Sequence, residues 1–374
     1  MADFVERRRQ QLFCGDAPYG IVGGNNYYLA YVSEPVQDAV LALAKQFGMN
    51  SLRIWAFLDC AAQPGAQEVC FQYWDSVQQK PVGNDGPYGL ERLDRAVAKA
   101  GGAGMKVILT LVNHWKDFGG MPQYVSWFGL GDKNLFYTDA RCLIAYQNWA
   151  RQIVMRCNSV TGVLYRDDPA ILAWELANEP RCEAQGGVDM LLTWVETMSR
   201  FVRQIDPNHL IAVGDEGYFK RARAGGNVLY NGAYGVSCEE LLGIGDVDLG
   251  TVHLYPQSMA PDTSAVDFGN RWIREHIEAG QRADKPMLIE EYGFMGSDAA
   301  RDPVFDSWLQ GVEAQRGVGD MLWMLGLPKG PDQPFDPDQY VVSDAAAMPG
   351  IRNHVDRMLN SRAGRASAPY PIPG

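Results

Sequence analysis

Basic charge is scarce in this chain. Across 374 residues Lys and Arg total 33 against 45 Asp and Glu, a formal net charge of −12. Nucleic acid and anionic membrane surfaces both reward clustered positive charge, so this balance argues against either as a partner. The one basic cluster, Arg7-Arg8-Arg9, is too short to reverse it and reads as a solvated turn. Long apolar runs are missing too, and nothing approaches the ~20 residues of a membrane span. The opening MADFVERRRQ lacks the apolar core of a signal peptide, so as written the chain is cytoplasmic or already trimmed of a leader. Paired cysteine spacing is also absent. Cys14, Cys60, Cys70, Cys142, Cys157, Cys182 and Cys238 contain no Cys-x-x-Cys, and no other stretch has metal-ligand spacing, so no metal site is expected. Cys60 and Cys70 flank the loop CAAQPGAQEVC; they form a disulfide in an oxidising compartment or remain buried free thiols. Finally, GIVGGNN at 20–26 does not match the glycine spacing of a dinucleotide-binding loop, and no nucleotide cofactor is expected.

What is present is a regular alternation. With 47% hydrophobic residues the chain can bury a large core. Apolar, strand-like runs occur at 20–29, 51–57, 106–115, 171–179, 210–217, 249–256, 286–293 and 320–326. Segments of helical period lie between them, at 35–48, 89–104, 139–157, 189–205, 266–281, 301–316 and 344–361; 218–246 is the least clearly helical. Continuously apolar strands suit a parallel sheet buried on both faces. The pattern predicts one (β/α)8 barrel domain over residues 1–374, with 4–18 as a hairpin or plug beneath it and 363–374 as a loosely ordered tail. A doubly wound open sheet is the alternative. Trp194 and Trp308 fall within helical patterns and read as core.

In such a barrel, chemistry sits where the strands run out. The polar residues there are Asn26, Arg53, Asn113-His114-Trp115, Asn178-Glu179, Asp215-Glu216, His253, Tyr255, Glu291-Tyr292 and Trp323. Pro180 cannot donate to a central ladder, so the fourth strand should end on Glu179. Polar groups embedded in apolar strands must be satisfied, which implies one shared network at the barrel mouth. Two opposed carboxylates with an aromatic floor are what glycoside cleavage requires, one carboxyl protonated and the other ionised. Arg53, Asn178 and Tyr255 are the donors suited to hold one of them ionised. Asp215 and Glu216 either join this network or form a structural ion pair.

These residues also carry a resemblance. WELANEP (174–180) is similar to the acid/base motif of glycoside hydrolase family 5, and IEEYG (289–293) to its nucleophile motif. NNYYL, LVNHWKDFGGMPQYV, WELANEPRC, GDEG, HLYP and IEEYG together resemble the endo-β-1,4-mannanases of that family, in order, from about Phe4 to Trp323. The resemblance implies a barrel and a retaining reaction on mannan, glucomannan or galactomannan, with no cofactor. Glu179 would be the acid/base and Glu291 the nucleophile; Arg53, Asn178, His253 and Tyr255 would position them and the sugar. Trp323 would be the platform under the sugar, with Trp115, Arg181 and His114 as further substrate contacts. Glu290, by strand alternation, would face away from Glu291. Two departures stand out: His114 replaces an asparagine usual in Asn-Asn-Trp, and Met259 stands where many relatives carry tryptophan. The remaining alternatives are an exo-acting mannosidase, a β-1,4-glucanase or a carbohydrate-binding barrel without catalysis, with the inserts 58–87 and 116–137 shaping the cleft. A monomer, secreted or periplasmic after loss of a leader, is expected, with cytoplasmic residence as the alternative.

Overall fold

The computed structural model describes residues 3–330, 333, 335 and 339–365. The strands, in chain order, are β1 (Val5–Arg8), β2 (Gln11–Cys14), β3 (Ala17–Tyr19), β4 (Ile21–Asn25), β5 (Ser51–Trp55), β6 (Asp59–Cys60), β7 (Gln72–Asp75), β8 (Lys80–Gly83), β9 (Lys106–Thr110), β10 (Ile171–Glu175), β11 (Leu210–Ala212), β12 (Gly250–Leu254), β13 (Met287–Tyr292) and β14 (Gly319–Leu322). Eight of them, β4, β5 and β9 to β14, make one parallel sheet whose neighbours follow chain order. A bridge between Ala212 and Leu249 joins β11 to β12 and closes the ring. This is the expected (β/α)8 barrel.

All residues of β4, β5, β10 and β12 are buried, because helices cover the outer face and side chains fill the interior. The helix Glu34–Phe47 shows how sequence sets local bounds. Pro35 sits in the first turn, where its missing N–H has no partner to lose. Val36, Val40, Leu43, Ala44 and Phe47 are buried on one face, and Gly48 ends the helix at φ +76°. Trp194 and Trp308 lie in the core, as expected.

Residues 4–18 contribute β1, β2 and part of β3, an antiparallel sheet. Val5 and Leu12 pack with Ile21, Ile108, Leu172, Leu210, Leu249 and Leu288, which closes the barrel beneath the N-terminal ends of its strands. Arg7 and Arg8 belong to β1, so only Arg9 fits the turn reading; it pairs with Asp284 at 3.1 Å. Other differences concern lengths. The third and fourth barrel strands stop at Thr110 and Glu175, well before Trp115 and Glu179, although Asn113 and Asn178 still bridge. Insert 116–137 holds an unforeseen helix, Gly120–Trp127, and 218–246 only the short helix Cys238–Leu241. The last helix begins at Pro349 and runs to Arg365; the rest of the tail, 366–374, lies outside the described residues.

Insert 58–87 carries the small sheet β6–β7–β8, and a disulfide joins Cys60 to Cys70 across a Cα separation of 6.3 Å. The other five cysteines are free. Denatured, unreduced protein is therefore expected to titrate five thiols with a thiol reagent, and seven after reduction. Seven before reduction would show the pair open.

Candidate active site

Glu179 stands four residues beyond β10 with φ +52°, a left-handed conformation that costs a residue with a side chain roughly 1–3 kcal/mol. Pro180 follows and bars any return to the ladder. The turn sends the carboxyl into the barrel mouth, where Trp115 Nε1 donates to Oε2 at 2.5 Å and His253 Nδ1 to Oε1 at 2.8 Å. Glu291, on β13, accepts from Arg53 Nη1 at 2.6 Å and from the Tyr255 hydroxyl at 2.5 Å. His253 Nδ1 is 3.4 Å from Glu291 Oε2 as well, so one ring nitrogen stands between the two carboxylates. The facing oxygens of Glu179 and Glu291 lie within 4.8 Å.

Beneath this pair lies a buried charge cluster. Arg53 donates through Nε and Nη2 to the two oxygens of Glu175 at 2.7 and 2.6 Å, and through Nη2 to Asn178 Oδ1 at 2.7 Å. Glu290 belongs to the same cluster: its Oε2 is 3.3 Å from His253 Nε2 and 3.8 Å from Arg53 Nε. This corrects the expectation that Glu290 faces away. The ladder slips between Val252 and His253 and again between Ile289 and Tyr292, and such an irregularity breaks simple alternation. Three carboxylates thus surround one guanidinium. Among the described residues no donor reaches Glu290 Oε1. Burial pushes Glu175 up to about 8, against Arg53 and with the help of Glu290. Glu290→Gln places a neutral donor of the same shape beside Glu175 and is expected to hold kcat/KM within about threefold of the parent, since the amide can hydrogen-bond to that carboxyl. A loss of roughly 100-fold or more would show that Glu290 acts as a full negative charge.

Burial alone would depress His253, but Glu291, Glu179 and Glu290 around it raise it well above the ordinary imidazole value, and it is a cation. Burial works to raise Glu179, yet the bonds from His253 and Trp115 and the charge of Arg181 hold it down at about 2. Glu291 is raised by burial and by Glu179, against His253, Arg53 and the Tyr255 hydroxyl. A hydrogen bond to the ionised form lowers a carboxyl pKa, so Tyr255→Phe should raise Glu291 further. Activity that needs ionised Glu291 is lost as pH falls through its pKa. The acid limb of kcat/KM against pH is therefore expected to move to higher pH in Tyr255→Phe, and a limb that stays or moves lower would contradict the assignment.

No metal-ligand spacing is visible in sequence, but the fold brings Glu179, His253 and Glu291 within reach of a common point. Cationic His253 already points a proton at Glu179, and Arg53 supplies a second positive charge, so a further cation would meet like charge here.

Above the carboxylates opens a cleft of about 690 Å³. Trp323 lines it beside Tyr27 at 6.1 Å in a near-parallel pair and Trp55 at 6.4 Å. Next to Glu179, Arg181 lies over Trp115, Tyr218 and Tyr234 at 5.0, 5.1 and 4.5 Å, and grips Glu216 through both oxygens at 2.5 and 2.6 Å. Glu216 thus both forms an ion pair and lines the cleft. Trp115, Asn178, Arg181, His253, Tyr255, Trp323 and Met259 all border the opening. Three expectations change. Arg53 lies under the floor and reaches Glu291, not the open space. Asn178 accepts from Arg53 and donates to Asn113, so its side-chain hydrogen bonds go to these two residues and not to Glu179 or Glu291, although it borders the cleft. His114 is buried behind Trp115: Asn113 and Trp115 face the cleft, so the residue between them faces away. Glu175 was missed, although a charge inside an apolar strand signals a buried partner.

The family model "GH family 5 beta-mannosidase-like" matches residues 2–310. The probable mannan endo-1,4-beta-mannosidase A of Aspergillus niger is 35% identical over 314 residues, 83% of this chain and 77% of that one. A probable mannan endo-1,4-beta-mannosidase F of Aspergillus flavus is 34% identical over 83% of this chain, which spans 64% of that protein's length. Among solved structures, the endo-1,4-beta-mannanase of Rhizomucor miehei is similar with a TM-score of 0.85 and 33% identity, covering 96% of this chain and 99% of its own.

Proposed function

The chain belongs to glycoside hydrolase family 5, in its β-mannosidase-like group, and on that premise we propose that it is a retaining endo-β-1,4-mannanase. The observation that carries the proposal is the pair of carboxylates with unlike donors and facing oxygens within 4.8 Å. A retaining pair needs carboxyl groups about 5–5.5 Å apart, an inverting pair roughly 6.5–9.5 Å to admit a water. Glu291, aimed by Arg53 and Tyr255, attacks the anomeric carbon. Glu179 protonates the leaving oxygen and then takes a proton from water, which releases the sugar from Glu291. Glu179 is ionised beside cationic His253, so the pair holds one proton. A sugar that excludes water from Glu179 favours its neutral form, and the proton passes to the carboxyl along the 2.8 Å bond.

Endo action has its support in the aromatic groups beside each glutamate, Trp115 with Tyr218 and Tyr234 near Glu179, and Trp323 with Tyr27 and Trp55 near Glu291. Sugars can stack on both sides of the scissile bond. Linear mannan should yield a ladder of manno-oligosaccharides while soluble cellulose stays intact. Mannose or mannobiose alone from the start would mean an exo enzyme, cleavage of cellulose a glucanase, and no product from either a binding protein. Residence in an oxidising compartment is part of the proposal, supported by the Cys60–Cys70 bridge. No helix among the described residues is long and apolar enough to cross a membrane.

A further inference from the structure

The Asn-His-Trp departure in the sequence has a counterpart behind the cleft wall. His114 is buried, and both its ring nitrogens are engaged. The backbone N–H of Arg181 donates to Nδ1 at 3.3 Å, and Lys133 Nζ lies 2.7 Å from Nε2. A backbone N–H can only donate, so Nδ1 carries no proton. A neutral imidazole must then carry its proton on Nε2, and that N–H points at Lys133. An ammonium has three donors and no lone pair, so it cannot receive this bond; an uncharged amine can. The alternative, a charge-bearing Lys133 donating to Nε2, would force a proton onto Nδ1 against the Arg181 N–H. Among the described residues no carboxylate forms an ion pair with Lys133.

We propose that His114 holds Lys133 as an uncharged, nucleophilic amine beside Trp115 of the cleft wall, and that Lys133 is a modification site for acyl donors. The surroundings agree. Burial holds His114 well below the ordinary imidazole value, with the charge of Arg181 adding to the effect and Glu179 opposing it, so the ring is neutral at working pH. Burial also lowers Lys133; Arg181 adds to this, and Glu183, Asp132 and Cys182 oppose it. Lys133 Nζ sits 5.5 Å from the centre of the Trp115 ring, so acylation there changes the support of the tryptophan that bonds Glu179. In the reaction the amine lone pair attacks the acyl carbon of an active ester and the C–N bond forms. The alcohol or N-hydroxy component leaves with the C–O electron pair, and the amine proton goes to solvent.

The test is peptide mapping by mass spectrometry after brief treatment of the intact protein with limiting N-hydroxysuccinimidyl acetate, across pH 6 to 9. Lys133 is expected to acetylate at pH 7 roughly tenfold or more faster than exposed Lys80 and Lys116, because only the free base reacts. Its rate should also level off at lower pH than theirs. His114→Asn removes the Nε2–H donor and should erase the advantage. Should that variant not fold, the rate–pH curves of the parent protein alone decide. A Lys133 curve that coincides with those of Lys80 and Lys116, or lies at higher pH, overturns the proposal. This readout does not depend on hydrolysis of any polysaccharide.

Discussion

Glu179→Gln is expected to lower kcat/KM on linear mannan by about 100- to 10,000-fold, the range for loss of a positioned proton donor. The amide preserves shape and still accepts from one donor, but it cannot give a proton to the leaving oxygen. An aryl mannoside whose leaving group needs no protonation should therefore lose far less in its first chemical step. Release of the second product would still be slow, because Glu179 also serves as base, so a burst of the aryl alcohol followed by slow turnover is expected. Equal losses on mannan and aryl mannoside would count against Glu179 as the acid. The left-handed backbone at Glu179 explains why it sits where a sugar oxygen can reach it: the chain must leave the ladder sharply before Pro180.

The second large effect concerns stability as well as rate. Arg53 is the only cation donating to both Glu175 and Glu291 among the described residues, and it also approaches Glu290. Arg53→Met leaves these buried acids uncompensated and is expected to cost about 3–5 kcal/mol in chemical denaturation, with activity lost. Arg53→Lys should fare little better, since a single ammonium cannot replace two parallel bonds to Glu175 together with those to Glu291 and Asn178. The acids left behind take up protons more readily, so the deficit should grow as pH rises. An unchanged denaturation midpoint at neutral pH would contradict the central place given to this guanidinium.

How far the sequence reveals this arrangement depends on the kind of signal. Apolar strands and amphipathic helices repeat regularly enough to define the barrel: seven of its eight strands fall inside the runs that predict them, and β14 begins one residue early, at Gly319. Their ends are less legible. Polar residues such as Asn113 and Asn178 remain side by side at the mouth after regular pairing has stopped, so the apolar pattern overstates strand length. Glu179 and Glu291 could be read from their motifs and from Pro180. Glu290 could not, because a slip in the β12–β13–β14 ladder overrides the period of two. Segment 218–246 hid its contribution for another reason: it has little periodicity, yet it supplies Tyr218, Leu229 and Tyr234 to the cleft. Lys133 left no local signal at all, since its meaning comes from His114, nineteen positions away.

The most direct measurement is ¹H NMR of mannohexaose hydrolysis during the first minutes, before mutarotation. If Glu291 forms a covalent intermediate and Glu179 directs water to it from the same face, new reducing ends appear first as the β-anomer. α-Anomer signals then grow only with the rate of mutarotation. New reducing ends that appear first as the α-anomer would mean a single inverting displacement, and would contradict Glu291 as the nucleophile.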